Sequence, residues 1–84
     1  MKVTEQNYHE SVDNLDGSII FWAPWDKTSK EAKERLYPSR VAMEFNIDEA
    51  PNIPVILGIA DIPKIAIYEK GQLLKIISEK EFEG

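Results

Sequence analysis

The sequence predicts an α/β fold: a mixed central sheet in the order β-α-β-α-β, followed by a β-hairpin, with helices on its faces. Apolar runs such as SIIFWA over 18–23 alternate with segments whose apolar residues recur every three or four positions. This alternation is typical of parallel strands joined by helices. Near the C-terminus two apolar segments flank EKGQ at 69–72, and a short connection that contains glycine indicates an antiparallel hairpin.

Each element is bounded by its own local pattern. The expected strands cover 2–4, 18–23, 40–45, 64–68 and 73–77, the helices cover 5–15 and 28–37, and single helical turns cover 55–59 and 78–84. Thr4 precedes the first helix as its cap, and Thr28 with Glu31 fits the Ser/Thr-x-x-Glu capping box of the second helix. Ser78 and Glu81 fit the same box at the last turn.

Composition and charge limit the classes of function. The chain has 84 residues, so a single domain over 1–84 is expected. It contains no cysteine, and therefore offers no thiolate nucleophile, disulfide or cysteine metal ligand. The net charge of −5 argues against direct nucleic-acid binding and against membrane-surface binding. The chain has neither the roughly 18-residue apolar run of a transmembrane helix nor an apolar signal segment, so a cytoplasmic protein is expected.

Four motifs follow one another along the chain: FWAPW at 21–25, NID at 46–48, GIADIP at 58–63 and KG at 70–71. In this order they resemble the thioredoxin family over nearly the whole length. The resemblance implies a thioredoxin-like fold with Trp25 beside a substrate groove and a cis peptide bond at Ile62-Pro63 facing the active-site turn. It also implies shortened helices, because Pro38 follows the first motif early and the C-terminal helix is reduced to about 79–83.

The residues that carry redox chemistry in that family are absent. The family has Cys-Gly-Pro-Cys after the second tryptophan, and this chain has DKTS at 26–29. A carboxylate cannot perform thiol–disulfide exchange, which requires a thiolate. In the family, a buried acidic residue relays protons to the cysteines, and its position corresponds to Ile20 here. The family's lysine before Asn-Ile-Asp corresponds to Glu44. Because nucleophile, resolving thiol and proton relay are lost together, a redox-inactive protein is expected rather than an enzyme.

The former active-site turn and the loop at 58–63 are the candidate binding surface. Trp22 lies inside a strand and is expected in the core, whereas Trp25 follows a proline, and an exposed tryptophan is a good interface anchor. An extended peptide could pair with the backbone of Ile62 by strand addition. The occupant is expected to be a protein or a peptide segment. The predicted partner-binding residues are Trp25, Asp26, Lys27, Thr28, Ile62 and Pro63.

Charged residues near this surface could modify binding. Glu79 corresponds to a glycine that borders the family's groove, so its bulk is expected to narrow the groove or to reject acidic ligands. Lys27, Lys30, Lys33 and Arg40 form a basic cluster. Its spacing with nearby glutamates favours a solvated helix face, and the alternative is a landing site for an acidic partner.

Three other interpretations stay open at this level. A self-associating structural protein would cover sheet surface that the shortened helices expose. A thiol-free enzyme would use Asp26 and Ser29 as a pair, but His9, the only histidine, lies on the first helix and supplies no nearby base. An engineered cysteine-free thioredoxin would be unusual, because DKTS is not a simple cysteine-to-serine exchange. No cofactor or metal is predicted, since scattered carboxylates lack ligand spacing.

Overall fold

A five-stranded sheet with helices on both faces forms the centre of the molecule, and the computed structural model describes residues 2–4 and 6–83. The strands are β1 (Lys2–Val3), β2 (Gly17–Trp22), β3 (Met43–Asn46), β4 (Lys64–Glu69) and β5 (Gln72–Ser78). The helices are α1 (Tyr8–Val12), α2 (Lys27–Leu36), α3 (Asn52–Leu57) and α4 (Glu79–Glu83). No helix within the described ranges is long and apolar enough to cross a membrane.

Strand β2 lies in the middle of the sheet, whose order is β1-β3-β2-β4-β5. It pairs in parallel with β3 and antiparallel with β4, and β4 and β5 form an antiparallel hairpin. Ile19, Ile20 and Phe21 are fully buried, as expected for a strand that is covered on both faces. The predicted mixed sheet and the predicted hairpin are confirmed.

Separate apolar clusters attach the helices to the two faces. On one face, α1 and α3 pack on a cluster that includes Phe21 and Phe45, whose ring centroids are 4.8 Å apart. On the other face, Ala32 and Leu36 of α2 pack with Ile20, and α4 contributes a side chain at the edge. Successive residues of a strand point to opposite faces, so Ile20 and Phe21 belong to different clusters.

Helix α1 is shorter than the sequence predicts. It spans Tyr8–Val12, and the predicted start at Glu5 lies outside the described residues. Thr4 and Asn7 exchange hydrogen bonds: the Asn7 amide donates to Thr4 Oγ1 (3.3 Å), and the Thr4 amide donates to Asn7 Oδ1 (2.7 Å). Beyond the helix, Asn14 has a φ of 64°, a left-handed conformation that a right-handed helix cannot contain. The predicted extension to residue 15 is therefore wrong.

Strand β3 starts later than predicted because the segment before it closes the end of α2. The amides of Arg40 and Val41 both donate to the carbonyl of Leu36, at 2.7 and 3.0 Å. These bonds hold the chain in a turn after the helix, so the ladder with β2 begins only at Met43. The predicted strand over 40–45 becomes a strand over Met43–Asn46.

Helix α3 starts three residues before the predicted turn over 55–59. It spans Asn52–Leu57 and contains Pro54, which precedes the predicted turn. Proline is compatible with this position because the first amides of a helix have no intrahelical acceptor. Gly58 ends the helix with a φ of 78°, a conformation that glycine adopts without steric cost. The loop that follows carries the chain back towards the turn after β2.

Candidate functional site

The turn after β2 is organised by Asp26, the N-cap of α2. Asp26 Oδ1 accepts hydrogen bonds from the amides of Thr28 (3.1 Å) and Ser29 (3.5 Å). The helix begins at Lys27, so Thr28 lies inside its first turn and exposes its side chain. The predicted capping box of Thr28 with Glu31 is therefore wrong. An aspartate cap takes its place, one of the residue types that satisfy first-turn amides best.

Ser29 is a structural residue with a fully buried side chain. Its Oγ accepts from the Ala23 amide (3.1 Å) and lies 3.1 Å from the Asp26 carbonyl, to which it donates. These bonds tie the end of β2 to the start of α2. A buried hydroxyl with its bonding capacity in use does not face a substrate, which counts against the alternative of a serine nucleophile.

The two tryptophans have the environments that the sequence predicts. Trp22 is 8% exposed, its indole donates to Glu44 Oε1 at 3.0 Å, and Lys33 Nζ lies 4.3 Å from the ring centroid. Trp25 is 68% exposed, and its indole donates to Asp48 Oδ1 at 2.8 Å. The hydrogen bond to Asp48 orients an indole whose faces remain largely in solvent.

The positions that correspond to the family's buried acid and to its lysine are adjacent in the sheet. Ile20 and Glu44 are paired residues in the parallel β2–β3 ladder. Ile20 is fully buried in the α2 face of the core, and the Glu44 carboxylate accepts the Trp22 indole N–H. The pair thus contributes packing and a structural hydrogen bond at this place.

A small cavity lies between the turn and the loop at 58–63. Its volume is about 100 Å³, well below the roughly 300–1,000 Å³ of typical small-molecule pockets. The cavity is therefore suited to one aliphatic side chain of a partner. The lining residues are Trp25, Ile47, Pro54, Ile59, Ala60, Asp61 and Ile62.

Two of the six predicted binding residues, Trp25 and Ile62, meet at this cavity. The other four predicted residues do not belong to the lining: Asp26 and Pro63 are next to lining residues in the chain, and Lys27 and Thr28 follow Asp26. The peptide bond between Ile62 and Pro63 is cis.

Sequence reasoning missed five lining residues, at 47, 54 and 59–61, as well as the Asp48 carboxylate that fixes the indole. The sequence did contain an indication of these residues. The motif at 46–48 starts at the end of β3, the motif at 58–63 directly precedes β4, and both strands pair with β2. Residues at neighbouring strand ends meet at one edge of a sheet. Beyond the lining, Val55 and Ile56 of α3 are exposed and extend the apolar surface along the chain from Pro54.

The expectation that Glu79 narrows the groove is wrong. Its carboxylate forms an ion pair with Arg35 of α2, which also binds Glu83 at 2.8 Å. The hydrogen bond with Glu83 is the largest of the contacts that raise the pKa of the Arg35 guanidinium. Because Arg35 holds Glu79 on the α2 side of the sheet, the glutamate is absent from the cavity lining.

A metal centre would need several histidine or acidic side chains close together. Within residues 2–4 and 6–83, no three histidine or acidic side chains are grouped as ligands for a metal ion. The candidate site consists of an oriented indole, a cavity lined mainly by apolar side chains, and nearby carboxylates.

This fold and this site define a thioredoxin-like protein whose active-site turn is a capped helix start without thiols. A thioredoxin of Rickettsia felis is 32% identical over 83 aligned positions, which cover 83% of this chain and 75% of that protein. A thioredoxin of Rhodospirillum rubrum is 28% identical over 81 positions, covering 86% and 78%. The chain belongs to the thioredoxin family.

Solved structures support the same fold. Mitochondrial thioredoxin 3 of Saccharomyces cerevisiae, in its oxidized form, superimposes with a TM-score of 0.73 at 22% identity, over 99% of this chain and 92% of that one. A designed protein superimposes with a TM-score of 0.77 at 19% identity, over 98% and 90%. No family model matches the chain. The thioredoxin-like fold predicted from the motifs is confirmed.

Proposed function

We propose that this member of the thioredoxin family is a redox-inactive binding module that holds a protein segment at the former active-site turn. One observation carries the proposal: an indole that is 68% exposed borders a cavity of about 100 Å³, whose lining side chains are apolar except for Asp61. Exposed aromatic anchors beside a pocket are frequent hot spots of protein interfaces. Val55 and Ile56, which are also exposed, would add apolar contact area.

The residue inventory supports the proposed lack of thiol–disulfide activity. The chain has no cysteine, and the Asp26 carboxylate at the former nucleophile position caps α2. The expected result in an insulin disulfide-reduction assay, with thioredoxin reductase or dithiothreitol as the electron source, is no acceleration over buffer. Acceleration that depends on protein concentration would overturn this part of the proposal.

The proposed binding mode is strand addition beside Ile62, with one partner side chain in the cavity and Trp25 packed against it. Among the described residues, no backbone hydrogen bond outside the helices and strands involves Ile62, so its amide and carbonyl can serve an added strand. Asp26, Lys27 and Thr28 would border the bound segment on one side, and Pro63 on the other.

The test is affinity capture from the native host extract with the wild type, Trp25→Ala and a Trp25→Ala/Ile62→Asp double variant. Trp25→Ala removes an exposed side chain and is expected to lose the partner while keeping the wild-type melting temperature. The single variant keeps the test valid if Ile62→Asp unfolds the protein. Equal recovery of the same partner by wild type and Trp25→Ala would contradict the proposal.

Self-association is the second candidate, and exposed leucines on the edge strand β5 favour it. Leu74 is 56% exposed, and Leu73 is also exposed. An edge strand with apolar side chains is a template for pairing with another chain. Sedimentation equilibrium discriminates: a monomer at all concentrations removes this candidate, and a dimer that Leu74→Ser dissociates supports it.

Protein partners, rather than nucleic acid or membrane, and a cytoplasmic location remain predictions. The net charge of −5 supports the first of them, because nucleic-acid binding normally uses a basic face. Gel-shift assays with single- and double-stranded DNA and RNA are expected to show no complex, and cell fractionation would test the location.

A further inference from the structure

Carboxylates outnumber ammonium groups around the cavity. Asp61 belongs to the lining, and Asp26 and Asp48 each directly adjoin a lining residue in the chain. The nearest lysines in the chain are Lys27, on the first turn of α2, and Lys64, whose Nζ lies 3.6 Å from Asp61 Oδ1. Three carboxylates against two lysines give the surroundings of the cavity an excess of negative charge.

The three carboxylates differ in what they can offer a partner. Asp48 accepts the Trp25 indole N–H, and Asp26 accepts two amides of α2. The Asp61 side chain is 77% exposed and pairs with Lys64 across three residues, a surface ion pair of a kind that contributes little. Asp61 is thus the carboxylate that a bound cation can reach while the site keeps its internal hydrogen bonds.

We infer that the segment held in this groove places an aliphatic side chain in the cavity and a lysine or arginine beside it, paired with Asp61. This inference rests on the proposed binding function and specifies the chemistry of the partner. Arginine fits best, because its guanidinium can donate to both carboxylate oxygens at once. The surrounding Asp26 and Asp48 add long-range attraction, which raises the association rate at low ionic strength.

Other occupants fit less well. An acidic segment would meet like charge at Asp61. A second copy of this chain docking through the same surface would bring two sets of Asp26, Asp48 and Asp61 together, and like charges across an interface are costly. The cavity volume argues against a drug-sized organic ligand, as described above.

The experiment is selection of a random nonapeptide library, displayed on phage, against the immobilised full chain. Sequencing is expected to return peptides with leucine, isoleucine or valine next to lysine or arginine. Fluorescence anisotropy then compares one recovered peptide on wild type, Trp25→Ala, Asp61→Asn and Glu69→Gln. Glu69 ends β4 and is exposed, about 17 Å from the groove end by strand geometry, so it is a matched control for loss of one negative charge.

Asp61→Asn is expected to weaken the peptide about two- to fivefold, the range for an exposed ion pair, whereas Glu69→Gln leaves its affinity unchanged. The wild-type affinity is expected to fall as salt is raised. Peptides that bind equally to Trp25→Ala, or the recovery of none, would overturn both the binding function and this inference. Peptides that need Trp25 but show no basic preference, or an acidic one, would overturn the inference alone.

Discussion

Removal of the Asp26 carboxylate tests the assignment of Asp26 as the N-cap of α2. Asp26→Ala leaves the amides of Thr28 and Ser29, now 3.1 and 3.5 Å from an acceptor, without their cap. Loss of an N-cap costs about 1 kcal/mol, and loss of a negative charge at the positive end of the helix dipole adds about 0.5 kcal/mol. For a domain of this size, a loss of about 1.5 kcal/mol lowers the melting temperature by roughly 6–12 °C.

Two matched variants separate the cap from other effects. Thr28→Ala removes the hydroxyl that the sequence pattern had suggested as the cap, and we expect it to be neutral or to stabilise by up to about 0.5 kcal/mol through helix propensity. Asp26→Asn keeps a side-chain oxygen and loses the charge, so it should cost only the dipole contribution of about 0.5 kcal/mol.

The assay is urea unfolding followed by circular dichroism, at low salt and neutral pH, with equal m-values as the check that the variants unfold in the same way. Thr28→Ala as destabilising as Asp26→Ala would refute the assignment of Asp26 as the cap. So would an Asp26→Ala variant with wild-type stability.

Three further variants test separate contacts. Burial, and to a lesser extent the hydrogen bond with the Tyr8 hydroxyl, raises the pKa of Tyr68. The stability that the protonated Tyr68 contributes is therefore present below about pH 10 and is lost as pH rises through the raised pKa, by up to about 1.4 kcal/mol per pH unit. Between pH 9 and 11, urea unfolding should show a smaller loss of stability for Tyr68→Phe than for wild type. Ser29→Ala leaves the buried Ala23 amide without its acceptor and should cost about 1–3 kcal/mol in the same unfolding assay, whereas an unchanged midpoint would contradict its structural role. Arg35→Ala should accelerate hydrogen exchange in α4 with little change in the global midpoint, and unchanged exchange would mean that the ion pairs do not hold this helix.

The order and pairing of the strands could be predicted from the sequence because they depend on robust patterns. The run at 18–23 is apolar at every position except Ser18, and only a central strand buries both of its faces. The hairpin needed only two apolar segments around Gly71. These features average over several residues, so a single unusual position does not change the result.

The errors arose where one hydrogen bond or one proline decides the structure. Thr28 and Asp26 both belong to residue types that cap helices, and only the backbone conformation tells which one does. Helix α3 begins before Pro54, whereas the predicted turn begins after it, because proline is tolerated in a first helical turn. At Glu79, the direction of the side chain was set by Arg35, 44 positions away in the chain, and no local pattern contains that information.

Part of the candidate site could also be predicted from local sequence patterns. Trp25 and Ile62 stood out through their motifs, and both line the cavity. Asp61 did not, because its relevance depends on a cavity formed by four separate parts of the chain, at 25, 47, 54 and 59–62. Local sequence identifies anchors, whereas the charge around them emerges only when the segments come together.

The most direct test of the central claim, that this surface binds a protein segment, uses the two indole N–H signals of the protein in ¹H–¹⁵N correlation spectra. Trp22 and Trp25 are the only tryptophans. The Trp22→Phe variant lacks one of the two indole signals, which identifies the signal of each tryptophan. Titration with a nonapeptide from the library selection is expected to shift the Trp25 indole and the backbone amide of Ile62, while the buried Trp22 indole and β5 stay unchanged. Shifts confined to β5, with both Trp25 and Ile62 unperturbed, would contradict the account.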